Sequence, residues 1–183
     1  VQQTSCPACT PGSFSPNAGE IMCSNAPTGK YVERNAATYA IDCRVGTYQN
    51  AEGKSSCMDC GKGRYNPLTA STVASACVGC GIGKYNDLEG QPTESSCKKC
   101  SSGTYSNTTA SSDCFDCSPG RYQIEVGKTS CTLTSPGEYV SVNAATYAIK
   151  CAPGTANNQF QQTSCPACTP GSFSPTAGAR LCA

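Results

Sequence analysis

The sequence has no histidine and no tryptophan, and only 14% of its residues are charged. Without histidine, the commonest general base and metal ligand is missing, so Ser-His-Asp and Cys-His catalytic arrangements are excluded. The glycines form no phosphate-binding loop, and calcium-loop spacing is missing too. The net charge of +1 gives no electrostatic reason to expect nucleic acid as a partner. We therefore expect no enzyme, no metal site and no cofactor.

Long apolar runs are also missing, so we expect no membrane insertion of this segment. Leu, Ile, Val and Phe are too few for one large apolar core. The sequence has 17 cysteines instead. This abundance is typical of disulfide scaffolds in secreted proteins, where covalent bridges replace much of the core.

The cysteines recur in C-x-x-C boxes whose starts lie 17 residues apart, or 20 residues apart at two places. Complete boxes begin at Cys6, Cys57, Cys77, Cys97, Cys114 and Cys165. Four boxes have lost one cysteine: Cys23/Ala26, Ala40/Cys43, Cys131/Thr134 and Ala148/Cys151. The pattern predicts a continuous array of repeats over residues 1–183, without a separate globular domain.

A second pattern follows the boxes and consists of a glycine, any residue and an aromatic residue, as in Gly12/Phe14 and Gly46/Tyr48. A proline such as Pro11 often precedes the glycine, which predicts a type II turn with the glycine at positive φ. The aromatic residue is predicted to begin a strand of three or four residues. No stretch has helical periodicity.

The lost cysteines indicate how the remaining ones pair. Ala26 stands at the second position of its box and Ala40 at the first position of the next, and Thr134 and Ala148 repeat this arrangement. If the second cysteine of each box pairs with the first of the next, each double loss removes one whole bridge. The predicted bridges are Cys9–Cys23, Cys43–Cys57, Cys60–Cys77, Cys80–Cys97, Cys100–Cys114, Cys117–Cys131, Cys151–Cys165 and Cys168–Cys182. Cys6 is left unpaired within the chain.

Two C-x-x-C boxes at this distance also have the spacing of a Cys₄ zinc site. Losing one ligand from each of two adjoining boxes would leave such a site with an incomplete ligand set and unpaired cysteines, whereas it removes one whole disulfide. A thioredoxin-type redox motif is expected at a helix start in a βαβ context, which is missing here. Structural disulfides are the favoured interpretation.

The two repeats without a bridge share the sequence NAATYAI, at residues 35–41 and 143–149. Two interpretations remain open. Burial of Tyr39, Ile41, Tyr147 and Ile149 could replace the missing bridges, at roughly 1.5–3 kcal/mol for each side chain. Alternatively, these four residues form docking surfaces for a neighbouring chain, to which tyrosines and small residues are suited.

One N-glycosylation sequon is present, Asn107-Thr108-Thr109, in the loop that the predicted Cys100–Cys114 bridge closes. On an exposed polar loop of a secreted scaffold, we expect this asparagine to carry an N-linked glycan.

Residues 2–23 and 161–182 are nearly identical and lie 159 residues apart, which indicates a higher-order repeat over the short one. The predicted partner of Cys165 is Cys151, but the equivalent of Cys151 for Cys6 would lie before Val1. We therefore expect either that the chain continues N-terminally or that Cys6 bonds another molecule.

The run C-x-x-C-x-x-G-x-[YF], followed after 8–11 residues by another box as in residues 57–80, resembles the ephrin-receptor-like cysteine-rich repeat. It is more loosely similar to tumour-necrosis-factor-receptor and EGF-like modules. The resemblance implies a disulfide-laddered, elongated extracellular module that is used for binding or building and has no active site.

We predict a small disulfide-rich fold, mostly coil with short β-hairpins, arranged as an elongated tandem-repeat rod with a disulfide ladder. The expected function is that of a structural protein, a secreted or cell-surface glycoprotein. It would form a segment of an extracellular filament, appendage or stalk by self-association. The alternative is a receptor or adhesin ectodomain that binds a protein or glycan ligand.

Overall fold

A computed structural model of the protein describes residues 8–183. Over these residues the backbone is mostly turn and coil, with sixteen β-strands of two residues each and two single-turn 3-10 helices. The strands are shorter than the three or four residues expected. They are β1 Ser13–Phe14, β2 Ser24–Asn25, β3 Lys30–Tyr31, β4 Ile41–Asp42, β5 Thr47–Tyr48, β6 Met58–Asp59, β7 Arg64–Tyr65, β8 Val78–Gly79, β9 Lys84–Tyr85, β10 Lys98–Lys99, β11 Thr104–Tyr105, β12 Phe115–Asp116, β13 Arg121–Tyr122, β14 Thr132–Leu133, β15 Glu138–Tyr139 and β16 Ile149–Lys150.

Consecutive strands pair as antiparallel hairpins, β1 with β2, β3 with β4 and so on to β15 with β16. The aromatic residue of each hairpin lies opposite the residue that follows the first cysteine position of the next box, as Tyr48 lies opposite Met58. The predicted fold class, mostly coil with short hairpins and disulfides in series, is confirmed.

The chain forms two compact bodies, one of residues 8–80 with Asn86–Cys97 and one of Gly81–Tyr85 with Lys98–Ala183. The N-terminal body contains β1 to β8 and the C-terminal body contains β9 to β16. Each body contains four hairpin repeats of the same type, and the same kinds of contact between repeats are found within each body.

The glycine of each repeat forms the turn before the first strand. The Ser13 amide donates to the Thr10 carbonyl at 3.0 Å, and Gly12 between them has a φ of 92°, as expected of the predicted turn. A Cβ atom on Gly12 would also collide with the carbonyl oxygen of Gly53, two repeats further along. Glycine is therefore required for its conformation and for close backbone approach.

Backbone hydrogen bonds connect each repeat to the next one. In the N-terminal body the Gly12 amide donates to the Val32 carbonyl at 2.8 Å, and the Val32 amide donates to the Lys54 carbonyl at 3.0 Å. Because turns also pack on repeats two places away, each repeat contacts more than its immediate neighbours.

The two longer repeats place their extra residues in the 3-10 helices Ala74–Ala76 and Glu94–Ser96, directly before Cys77 and Cys97. The hairpins on either side keep the same antiparallel pairing as those of the shorter repeats. The insertion is therefore absorbed as one local turn.

Most of the buried side chains of each body come from two recurring positions of the repeat. The first is the second cysteine of a box, such as Cys43, Cys60 and Cys117, which are fully buried. The second is the third residue after the repeat's glycine, which we call the inward position. No extended apolar core is needed, because disulfides and inward side chains fill this space.

Candidate functional site

The structure joins the second cysteine of each box to the first cysteine of the next, across 14 or 17 residues of sequence. The eight disulfides of residues 8–183 are Cys9–Cys23, Cys43–Cys57, Cys60–Cys77, Cys80–Cys97, Cys100–Cys114, Cys117–Cys131, Cys151–Cys165 and Cys168–Cys182. These are the pairs that the paired losses indicate. Cys6 lies outside the described residues.

The repeats without a bridge keep the backbone arrangement of the bridged ones. Ala26 is fully buried where other repeats have a half-cystine, and its amide donates to the Gly12 carbonyl at 2.8 Å. Cys43 makes the equivalent bond to Gly29 at 2.9 Å. Loss of the bridge therefore leaves the register between strands unchanged.

Thr134 takes the place of the second cysteine in the other bridge-free repeat, and it is also fully buried. Its hydroxyl oxygen accepts a hydrogen bond from the Gln162 amide at 2.9 Å. A hydroxyl in this interior needs such a partner, because an unpaired buried polar group is costly.

Valine occupies the inward position in these two repeats. Val32 and Val140 are each 1% exposed. The other buried inward residues are polar, namely Gln49, Asn66, Asn86, Ser106, Gln123, Asn157 and Ser174. The apolar side chain that accompanies each missing bridge is thus the valine.

The residues predicted as a buried substitute are not deeply buried. Tyr39 is 57% exposed, Tyr147 is 66% exposed and Ile149 is 42% exposed, while Ile41 is half-buried. The interpretation of these side chains as a local hydrophobic substitute is therefore wrong, because Val32 and Val140 fill the interior instead. We call Tyr39 with Ile41 the first tyrosine patch, and Tyr147 with Ile149 the second tyrosine patch.

Each patch is built on one hairpin. Ile41 lies opposite Tyr31 in the pair β3–β4, and Ile149 lies opposite Tyr139 in the pair β15–β16. The patch tyrosine stands two residues before the isoleucine, in the loop that leads into the return strand. Each of these repeats thus has one tyrosine and the isoleucine on paired strands, and a second tyrosine in the adjoining loop.

A shallow cavity lies within the loop of each patch, with a volume of about 290 Å³ at the first and about 190 Å³ at the second. Glu33 and Arg34 line the first cavity. Ser141 and Val142 take their places in the second, where Val142 is 61% exposed. The first patch is therefore flanked by charges of both signs, whereas the second is more apolar.

The inward polar side chains form a ladder that the sequence pattern did not reveal. The asparagines donate to a carbonyl of the preceding repeat, as Asn157 does to Glu138 at 2.8 Å. The glutamines donate across their own loop, as Gln123 does to the Ser130 carbonyl at 2.9 Å. Among the described residues, no buried side-chain nitrogen or oxygen lacks a hydrogen-bond partner. The recurrence of Ser, Gln or Asn three residues after the glycine in every repeat except the two with valine was the available signal.

Two further properties concern the part of the chain that the structure describes. In residues 8–183, no group of three or more Cys, Asp or Glu side chains is arranged to hold a metal ion. Over the same range, no helix has the length and apolar character needed to cross a membrane.

Comparison with known proteins identifies one family. Residues 40–77 match the family model described as tyrosine-protein kinase ephrin type A/B receptor-like. The matched segment contains the Cys43–Cys57 and Cys60–Cys77 disulfides and the hairpin β5–β6. No curated protein shows significant similarity to the chain.

The match confirms the resemblance that the boxes and the glycine–aromatic pattern indicated. Modules of this type are extracellular and non-catalytic, and eight disulfides are likewise typical of an oxidising compartment. The chain is a disulfide-rich tandem array that is similar, over residues 40–77, to the ephrin-receptor-like cysteine-rich module, which indicates an extracellular or cell-surface protein.

Proposed function

We propose that the chain is a structural segment of an extracellular filament, appendage or cell-surface stalk. It works by self-association of its disulfide-stapled repeats through the two tyrosine patches. That the chain contains an extracellular type of module rests on the family match and the disulfides. The proposal of self-association rests on the exposure of Tyr39 and Tyr147 in the two repeats that have no bridge.

The two patches suit a protein contact because each places a large, exposed tyrosine in the loop directly before a return strand. Tyrosine is enriched in interface centres, since it buries a large area while its hydroxyl keeps a hydrogen bond. Tyr39 and Tyr147 stand directly before the first position of a box. Six bridged repeats have a small or polar residue there, such as Ser56 and Ser130, and the other two have Met22 and Leu181. A tyrosine at this position is thus a feature of the two bridge-free repeats.

The occupant that we propose for each patch is a second copy of this chain. The chain carries two patches of the same NAATYAI sequence, so each copy is bivalent and can extend an assembly. A net charge of +1 gives little repulsion between copies. Glu33 beside Arg34 also provides charges of both signs, which can pair across two copies of the first patch.

A receptor or adhesin ectodomain is the alternative. The cavity of about 290 Å³ at the first patch, with Glu33 and Arg34 in its wall, favours this function as a place for a ligand side chain or sugar. In that case the patches would bind a different molecule, and the purified chain would remain a monomer.

Sedimentation velocity over a wide concentration range distinguishes the two functions. We expect the chain to associate with rising concentration, and the double variant Tyr39→Ser/Tyr147→Ser to remain monomeric with its disulfides intact. Phe160→Ser is the matched control, because Phe160 is 62% exposed but lies outside both patches. This control should associate as the unaltered chain does.

Two outcomes would overturn the proposal. A chain that stays monomeric at every concentration would exclude self-association and leave the ectodomain function. A double variant that assembles like the unaltered chain would show that the contacts lie elsewhere.

A further inference from the structure

We infer that Asn107 is a modification site and carries an N-linked oligosaccharide in the mature protein. The sequence has a single N-x-S/T sequon, and it is Asn107-Thr108-Thr109. The other asparagines are followed two positions later by residues other than Ser or Thr. Attachment is thus restricted to one repeat, and the structure indicates what that repeat can accommodate.

Asn107 lies in the loop between β11 and β12 and is exposed. It directly follows Ser106, which occupies the inward position and is fully buried. The Ser106 amide donates to the Lys128 carbonyl of the next repeat at 3.1 Å. The loop is therefore anchored on the inner side by Ser106, while its neighbour remains outside.

The exposure of this position recurs in the other repeats. The residue that follows the inward position is exposed throughout, as in Glu33, Asn50, Ser141 and Asn158. An oligosaccharide attached here would thus project from the stack, with no repeat-to-repeat contact to displace.

The hydrogen bonds that shape the loop do not use the Asn107 side chain. The Ser106 and Ser111 hydroxyls lie 2.7 Å apart, and the Thr108 and Ser111 hydroxyls lie 3.0 Å apart. Thr109, the sequon hydroxyl, is exposed and outside this network. Attachment of a sugar to the Asn107 side-chain nitrogen therefore leaves the hydrogen bonds of the loop in place.

The co-reactant is a lipid-linked oligosaccharide diphosphate, which is available along the secretory route of an extracellular protein. The Asn107 amide nitrogen forms a bond to the anomeric carbon of the sugar. The bond from that carbon to the diphosphate oxygen breaks, the lipid diphosphate leaves with the electron pair, and the amide nitrogen loses one proton. No oxidant or reductant is needed.

The test is the intact mass of the full chain secreted from a eukaryotic cell, before and after enzymatic removal of N-glycans. We expect the unaltered chain to lose the mass of one oligosaccharide on treatment. Asn107→Gln and Thr109→Ala should show no loss. Thr109→Ser and Thr108→Ala keep the sequon and should behave as the unaltered chain.

Glu52→Thr provides the positive control for the cell, because it creates a sequon at the exposed Asn50. We expect this variant to lose two oligosaccharides, where the unaltered chain loses one. A single oligosaccharide on Glu52→Thr with none on the unaltered chain would overturn the assignment. Retention of an N-glycan by Asn107→Gln would do the same.

Discussion

The side-chain amide of Asn66 donates a hydrogen bond to the carbonyl oxygen of Thr47, 2.9 Å away and one repeat earlier. The same nitrogen donates to the Ser71 hydroxyl at 2.8 Å, and the Asn66 side-chain oxygen accepts from the Leu68 amide at 3.0 Å. One fully buried side chain thereby connects two repeats and shapes its own loop. Stability in this array depends on such polar residues as well as on disulfides.

Asn66→Ala should destabilise its loop by about 3 kcal/mol, because it leaves buried backbone groups without partners. Hydrogen exchange of the surrounding amides, with the disulfides intact, measures this as faster local opening. Asn50→Ala is the control, since Asn50 is exposed. Equal effects of the two substitutions would contradict the proposed role of the ladder.

Gly103→Ala should destabilise the C-terminal body by about 3 kcal/mol. Gly103 has a φ of 83°, and a Cβ atom there would collide with the Ala144 carbonyl. Gly81→Ala is the control, because a Cβ atom at Gly81 meets open space. Denaturant midpoints at fixed disulfide content compare the two. A loss at Gly81 as large as that at Gly103 would exclude close packing as the cause.

The double variant Ala26→Cys/Ala40→Cys should form an additional disulfide, because the bridge-free repeat keeps the backbone bonds of the bridged ones. A loop of this length predicts a gain of about 3 kcal/mol. A non-reducing peptide map should show the new bridge, and unfolding by denaturant should shift accordingly. Two free thiols after oxidative refolding would show that the geometry differs.

Thr134→Cys/Ala148→Cys is the companion of that variant. It also removes the hydroxyl that accepts from the Gln162 amide, so its gain should be smaller by about 1 kcal/mol. An equal or larger gain would mean that this hydrogen bond contributes little to stability.

Val140→Ala and Val142→Ala separate the interior of the second bridge-free repeat from its surface. Val140 is 1% exposed, and its truncation should cost about 1–3 kcal/mol through the cavity left behind. Val142 is 61% exposed, so its truncation should leave stability unchanged while weakening self-association. Thermal unfolding and sedimentation velocity measure these two effects. The opposite pattern would contradict the assignment of Val140 to the interior.

The repeat length and the pairs that the cysteines form were accessible from sequence because both are local. Cysteine is absent at both Ala26 and Ala40, and likewise at both Thr134 and Ala148. A bridge between adjoining boxes explains why the two cysteines of each pair are absent together. The turn at Gly12 was predictable for the same reason, since its conformation depends on three or four consecutive residues.

The burial of the bridge-free repeats could not be predicted from sequence. Tyr39 and Tyr147 have large aromatic side chains, whereas Val32 and Val140 have small aliphatic ones. Side-chain size therefore favours the tyrosines as core residues. In these repeats the buried apolar side chain stands three residues after the glycine, and it is a valine. The tyrosines, standing in the return loop, remain at the surface.

The sequence by itself determined the period of the array, its dependence on disulfides and the absence of a large core, because cysteine count and spacing are properties of neighbouring residues. Only the tertiary structure decided which side chains face inward and why the glycine is required. The carbonyl of Gly53 that excludes a side chain at Gly12 comes from two repeats away, and no local pattern records such a contact.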